Sequence, residues 1–408
     1  MVRRCTAGLA VVTGVLFVCG ACRAAREPSR QIPAADAVIL QSLKGGPSIL
    51  TWQGAQQRVG YAHLDRIARG NTIRRGGAVY PLPTSARDFS TFRYSYKGVA
   101  RTVDDFIRDM NAVGILLIVD GRIVLERYAH GHTADTRWTS FSVAKSVMSL
   151  LFGAAMKDGH IGSLDDSAAK YLRELEGTSY DAVTLRHLLQ MSSGMAWNGD
   201  MSDPKSDVAQ LPRLNREGDF SAQLAYMIKR PRVSPPGRVF NYNTADADLA
   251  AAVLRAATGR TLSDYLSQKI WRPVGMQADG FWLTIGGSDL ERGGCCISAT
   301  LRDYGRIGLF AMENGRTRDG AQVLPEGWIA ESTRPSPSSK GYGYYWWLGR
   351  DGRYFASGSF GQHIEVAPAQ RAVVAIQSFW PAAFNKELID HNDTFVDALL
   401  AGVGGAVK

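Results

Sequence analysis

Phe141-Ser-Val-Ala-Lys-Ser-Val-Met-Ser-Leu-Leu-Phe-Gly-Ala-Ala-Met156 places a serine and a lysine three residues apart at the head of a long apolar run. The run reads as a helix, and Gly159 after Lys157-Asp158 is placed to end it. Residues three apart on a helix share a face, so Ser142 and Lys145 can meet. That arrangement answers a chemical need. A serine hydroxyl is a poor nucleophile until a base takes its proton, and a lysine does so once burial lowers its pKa. Ser-x-x-Lys alone is a weak signal, because it arises by chance in most chains of this length. Its surroundings decide the reading.

Just upstream, Ile115–Val119 and Ile123–Leu125 flank Asp120-Gly121, a strong hairpin signal. Before them, residues 102–112 read as a short helix with Asp104 and Asp105 in its first turn, where carboxylates suit the helix dipole. The stretch 160–335 is mostly helical pattern with long loops. Strands return at 343–347, 353–359, 363–366 and 372–379, followed by a last helix near 387–402. Strands at both ends with helices between them predict an α/β (α+β) fold: one antiparallel sheet built from both termini, flanked by helices, with a mostly helical domain inserted. The expected division is a signal segment at 1–24, a linker and arm at 25–100, a sheet domain from 101–159 plus 336–408, and the helical domain at 160–335.

With 408 residues, 45% apolar and 21% charged, the chain has the composition of an ordinary globular protein. The formal charge of +9 invites a nucleic-acid reading, but the basic residues are scattered, with no basic stripe interleaved with aromatics. Part of that excess also lies in the first 24 residues, which hold Arg3, Arg4 and Arg23 and no acid. This segment has a positive start, an apolar core from Gly8 to Ala21 and a small-x-small exit at Cys22-Arg23-Ala24, as a secretory signal does. Cys22 after Gly20-Ala21 also suggests a lipoprotein signal, with Cys22 as a lipid anchor. Export to the periplasm or medium is expected, with ordinary cleavage ranked ahead of lipidation. A retained span is disfavoured, since the apolar run is shorter than the ~20 residues a crossing needs.

Three of the five cysteines lie in that segment, leaving Cys295-Cys296. Neighbouring cysteines close no useful loop and are too few for a metal site, so they are expected to be packing thiols. The seven histidines are dispersed, and His363 on an alternating strand reads as structural. No H-E-x-x-H, phosphate loop or dinucleotide fingerprint is present, and neither metal nor cofactor is expected.

Two further motifs complete a constellation. Phe240-Asn-Tyr-Asn-Thr244 follows a Pro-Pro-Gly turn and precedes a helix, so Tyr242 can aim its phenol at the serine and relay protons, although a core tyrosine would look the same. The strand Phe355-Ala-Ser-Gly-Ser-Phe-Gly-Gln362, running past the nucleophile as an edge, can offer a backbone N–H to an oxyanion beside that of Ser142. Gly358 would allow close approach.

Serine-lysine helix, tyrosine loop and glycine-bearing late strand, in this order, resemble the serine β-lactamase and penicillin-binding protein superfamily. Within it the match is closest to the β-lactamase-like esterases and amidases, 6-aminohexanoate-dimer hydrolase above all. The stretches TSFSVAKSVMSLLFGAAMKDGHI, VTLRHLLQMSSGMAWN, FNYNTADADLAAAVLRAATGRTLSDYL, IWRPVGMQADGFW, CCISATLRDYGRIGLF and YGYYWW with FASGSFGQHIEV carry the resemblance over residues 85–380. It implies Ser142 as nucleophile, Lys145 as its activating partner and Tyr242 as proton-transfer residue. It further implies an oxyanion hole from the N–H groups of Ser142 and Ser359, and an acyl-enzyme resolved by water.

Two departures from the family pattern bear on substrate. Thr244 stands where Asn would end the tyrosine motif, and Ala356-Ser357-Gly358 replaces Lys-Thr-Gly. That lysine helps hold the carboxylate of a β-lactam or D-Ala-D-Ala peptide, and losing a charge-assisted contact costs ~1.5–3 kcal/mol. An esterase or amidase on small or linear acyl substrates is therefore ranked above a β-lactamase or D-alanyl-D-alanine peptidase, and both above a non-catalytic envelope protein. Thr244, Ser357 and Gly358 are candidate substrate contacts, and Trp197 and Tyr180 candidate walls of the acyl pocket.

Overall fold

Ala112–Val119 and Arg122–Tyr128 pair antiparallel as a hairpin in the computed structural model, with Asp120 and Gly121 both left-handed at the turn. The structure describes residues 32–46, 48–85, 87–217 and 219–404. The expected signal segment and its Cys5, Cys19 and Cys22 lie outside these residues.

In chain order the strands are β1 (Gly70–Ile73), β2 (Tyr94–Tyr96), β3 (Val99–Arg101), β4 (Ala112–Val119), β5 (Arg122–Tyr128) and β6 (Arg137–Thr139). After the serine helix and a long helical stretch come β7 (Gly280–Leu283), β8 (Ile297–Thr300), β9 (Trp347–Leu348), β10 (Tyr354–Gly358), β11 (Gln362–Ala367) and β12 (Ala372–Ser378). The main sheet has the order β5-β4-β12-β11-β10-β9, every pairing antiparallel. It is thus assembled from two segments far apart in sequence.

Both faces of this sheet are covered, which is why β4 is apolar throughout rather than alternating. Leu116 and Ile118 of β4, with Val373 and Ala375 of β12, face a core that includes the serine helix Val143–Lys157 and the helix Leu301–Met312. Ile115, Leu117, Val374 and Ile376 face the opposite core, shared with Phe106 of Val103–Asp109 and with Phe395 and Leu399 of Lys386–Gly404. The serine helix is apolar on every side because it is buried on every side: Val143 through Ala155 are all inaccessible.

Three expectations need correction. The stretch 343–347 is not a strand: Tyr345 is left-handed and only Trp347–Leu348 joins the sheet. The mainly helical stretch 160–335 also contributes β7 and β8 to a second sheet, order β1-β7-β8-β6. The arm is more than a linker. It folds into the helices Ala34–Leu43, Ala55–Ala62 and Leu64–Ile67, and sends Trp52 and Tyr61 into the second core. Among the described residues no helix is long and apolar enough to cross a membrane.

Candidate active site

Ser142 caps the serine helix from a turn fixed by β6 and β8. Ser140 exchanges backbone and side-chain bonds with Ile297 (Ser140 N to Ile297 O 2.7 Å, Ile297 N to Ser140 Oγ 2.9 Å), so the residues before the nucleophile cannot swing. Phe141 is held left-handed at φ 44°, an uncommon conformation for a bulky residue that marks stored strain directly before Ser142. Ser142 itself is nearly buried.

Lys145 lies one turn on and is fully buried. Its Nζ donates to Ser142 Oγ at 3.0 Å, to the Gly294 carbonyl at 2.7 Å and, weakly, to Thr244 Oγ1 at 3.5 Å. Burial disfavours the ammonium, and the charge of Arg292 works in the same direction against an opposing effect of Asp248. The pKa is brought down to about 7. A lysine so placed is a competent base at neutral pH.

Tyr242 sits on the loop before the helix Thr244–Thr258, whose first turn is capped by Asn243 Oδ1 accepting from the N–H groups of Ala245 and Asp246. Burial dominates its phenol and pushes the pKa well up, against a smaller lowering influence of the nearby Ser142 side chain, so the phenol is protonated at neutral pH. The Lys145 nitrogen lies 4.8 Å from the centre of the Tyr242 ring. The ring is clamped from outside by Trp347, stacked at 5.7 Å, and by Tyr342 edge-on at 6.2 Å. Serine, lysine and tyrosine therefore meet as the sequence motifs predict.

The late strand passes the nucleophile as expected, with one refinement. β9 pairs only with Tyr354 and Phe355 of β10, which leaves Ala356–Gly358 free on that side, next to Ser142. A Cβ on Gly358 would come 2.3 Å from the Ser140 carbonyl oxygen and 3.1 Å from Ser142 N, so only glycine fits. The following residue, Ser359, is buried and lines the same pocket as Ser142. Ser357 is half-buried on β10, opposite His363 of β11. Ala356, at the position of the family lysine, is fully buried and brings no charge.

A narrow, largely apolar pocket opens at Ser142. Its walls include Ile49 and Leu50 of the arm, Met201, and Val208 and Leu211 of the helix Asp207–Glu217. Thr244 also lines it, but Trp197 and Tyr180 do not. Trp197 packs in the core, and Tyr180 is buried with its hydroxyl donating to Asp246 at 2.7 Å. Their expected role as walls of the acyl pocket is therefore not met. Both aromatic side chains were needed for packing instead.

Cys295 and Cys296, expected as packing thiols, lie with their sulfurs directly against each other. Cys296 is left-handed at φ 76° with its N–H bonded to the Phe141 carbonyl, and this tight turn brings the adjacent sulfurs together. The pair lines the pocket. His363 is structural, bonded to Glu365 at 2.9 Å. Among the described residues no group of three or more His, Cys, Asp or Glu side chains is placed to hold a metal ion.

Several site residues escaped the sequence reading. Trp347 was visible only as one aromatic among many, and Ile49 and Leu50 as an ordinary apolar pair in an irregular stretch. Asp248 did leave a signal: an acid inside the alanine-rich helix run Ala245–Leu254. Arg292 and Gly294 left none.

Comparison with known proteins agrees with this geometry. A family model described as Beta-lactamase matches residues 99–386. The chain is 24% identical over 360 residues to the 6-aminohexanoate-dimer hydrolase of Paenarthrobacter ureafaciens, a match covering 83% of this chain and 89% of that protein. Among solved structures, the "Putative 6-aminohexanoate-dimer hydrolase from Bacillus anthracis" superposes with a TM-score of 0.77 at 20% identity, over 86% of this chain and 96% of the other. A penicillin-binding protein homolog from Caulobacter crescentus superposes with a TM-score of 0.56 at 16% identity, over 72% and 95%. At these identities the structural likenesses establish the fold.

Proposed function

Since the chain belongs to the Beta-lactamase family, we propose that it is an exported serine hydrolase forming an acyl-enzyme on Ser142, acting as an esterase or linear-amide hydrolase on small acyl substrates. The observation that carries the mechanism is the Lys145 Nζ at 3.0 Å from Ser142 Oγ, on a lysine whose pKa is lowered to about 7.

Neutral Lys145 takes the Ser142 proton as Oγ attacks the substrate carbonyl carbon. The N–H groups of Ser142 and Ser359 bind the oxyanion that develops. As the tetrahedral adduct collapses, the bond to the alcohol or amine leaving group breaks. That group takes up a proton through the Tyr242 hydroxyl, which is resupplied from the Lys145 ammonium. Water then attacks the acyl ester over the same residues and frees Ser142.

Substrate class rests on the pocket and on Ala356. The walls Ile49, Leu50, Val208 and Leu211 suit an apolar acyl group. The absence of a lysine at 356 removes the charge that would hold a β-lactam or D-alanyl carboxylate. The sequence kinship with 6-aminohexanoate-dimer hydrolase favours a linear amide as a second substrate class. Export is proposed on the N-terminal segment alone.

The test is a panel of p-nitrophenyl acetate and butyrate, 6-aminohexanoate linear dimer and nitrocefin, assayed with wild type and Ser142→Ala. Ester turnover that is lost in the variant supports the reading, and dimer cleavage extends it to amides. Turnover of nitrocefin in preference to esters would restore the β-lactamase assignment. Silence on the whole panel would favour a non-catalytic envelope protein.

A further inference from the structure

We propose that the ion pair between the fully buried Asp248 and Arg292 is a positioning device for Lys145, fixing the Gly294 carbonyl against the lysine nitrogen and setting the balance of charge beside it. The inference rests on the reading of Ser142 and Lys145 as nucleophile and base.

Four contacts build the device. Asp248, fully buried on the helix Thr244–Thr258, accepts from Arg292 at 2.9 Å and from Gln223 at 3.0 Å through one carboxylate oxygen. Its other oxygen accepts from the Gly294 N–H at 3.1 Å. The carbonyl of the same Gly294 accepts from Lys145 Nζ at 2.7 Å. One carboxylate thus holds both the loop and, through it, the oxygen that orients the base.

The loop has no room to find another position. A Cβ on Gly293 would meet the Ala247 carbonyl oxygen at 2.1 Å. One on Gly294 would come 2.7 Å from Thr244 Cγ2 and 3.4 Å from Lys145 Nζ. Two successive glycines let the loop lie directly on the helix, and the ion pair fastens it there.

Asp248 is fully buried while Arg292 is partly exposed at the pocket beside Ser142, so the carboxylate is kept at a desolvation cost that packing alone would avoid. Their position offers a reason. The Asp248 charge favours the Lys145 ammonium and the Arg292 charge opposes it. Other titratable groups lie on the elements around the serine helix: Tyr242 on its loop, Asp246 on the same helix as Asp248, Tyr345 beside Ser146, and His363 with Glu365 on β11. Asp248 and Arg292 are the ones whose charges act on Lys145.

The test is the pH dependence of Ser142 labelling by a fluorophosphonate, which reads the base without needing the natural substrate. Wild type is expected to label faster as pH rises through about 7, as Lys145 loses its proton. Arg292→Met removes the opposing positive charge and is expected to move this limb up by roughly one pH unit. Arg292→Lys keeps the charge and the limb. Asp248→Asn leaves Arg292 uncompensated and is expected to move the limb the other way, to lower pH. If it does not fold, which its thermal melt reports, the two Arg292 variants still decide. Limbs that stay in place in Arg292→Met, or move equally in Arg292→Lys, overturn the proposal while leaving the serine-lysine reading intact. Wild-type protein that takes no label at Ser142 overturns both.

Discussion

Tyr61 of the N-terminal arm stands edge-on against Phe141, their ring centres 5.0 Å apart and their planes at 81°. The same ring touches Phe360 at 5.7 Å. Phe141 directly precedes Ser142 and Phe360 directly follows Ser359, and both are left-handed. One buried side chain from outside the residues matched by the family model therefore braces both backbone positions that would hold the oxyanion.

From this brace follows a first prediction. Tyr61→Leu is expected to lower kcat on short esters by about 10-fold with little change in KM, since the donors serve the transition state. Tyr61→Phe, which keeps the ring, retains most activity. Steady-state kinetics on p-nitrophenyl butyrate, with melting curves as control, decides between bracing and simple loss of fold.

Gly358→Ala is a sharper probe of the same hole. Its methyl would sit 2.3 Å from the Ser140 carbonyl oxygen, so the strand or the turn must move. A loss of roughly 10²-fold in kcat is expected, the scale of removing one oxyanion donor. Near wild-type kcat in Gly358→Ala would show that Ser359 N–H does not serve the oxyanion.

Lys145 sets both activity and stability against pH. Activity on esters is expected to fall as pH drops through about 7, because protonated Lys145 cannot accept the serine proton. For stability, the native pKa lies below the ordinary lysine value of 10.5, so between about 7 and 10.5 the unfolded chain binds more protons than the native one. Stability from this group therefore rises with pH across that window and is lowest below it. Lys145→Met is expected to be inactive yet to melt higher at pH 7, by roughly 2–4 °C for each kcal/mol relieved. Calorimetry of the two proteins at pH 7 and pH 10 checks the sign.

Leu50 carries the prediction on specificity. Leu50→Trp fills the apolar pocket beside Ser142 and is expected to penalise butyrate over acetate esters by about 10-fold or more, the scale of one or two methylenes in a fitted site. The ratio of kcat/KM for the two esters is the readout, and an unchanged ratio would place the acyl group elsewhere.

Local patterns were the legible ones. Ser142 and Lys145 meet because helical spacing alone puts them together, and the Asp120-Gly121 hairpin forms where its turn residues dictate. Tyr242 was found by its place after one motif and before another, not by any local preference. What could not be read depends on distant partners. The arm helices are short, and Tyr61, stacked on Trp52, holds them against Trp138 and Phe360 far along the chain. β1 and β6 have four and three residues and gain their identity only by pairing with β7 and β8. The aromatic run 343–347 reads as a strand by propensity, but it turns at Tyr345 so that Tyr342, just before it, and Trp347 can both clamp Tyr242. Tyr180, an attractive pocket wall in sequence, is held by the buried Asp246, whose own pKa burial raises to about 6.

The most direct test of the account is to quench the wild-type enzyme during turnover of p-nitrophenyl butyrate and locate the acyl group by peptide mass spectrometry. A butyryl group on the peptide containing Ser142, absent from Ser142→Ala, is the predicted result. Turnover that persists in Ser142→Ala, or an acyl group on a different residue, would contradict it.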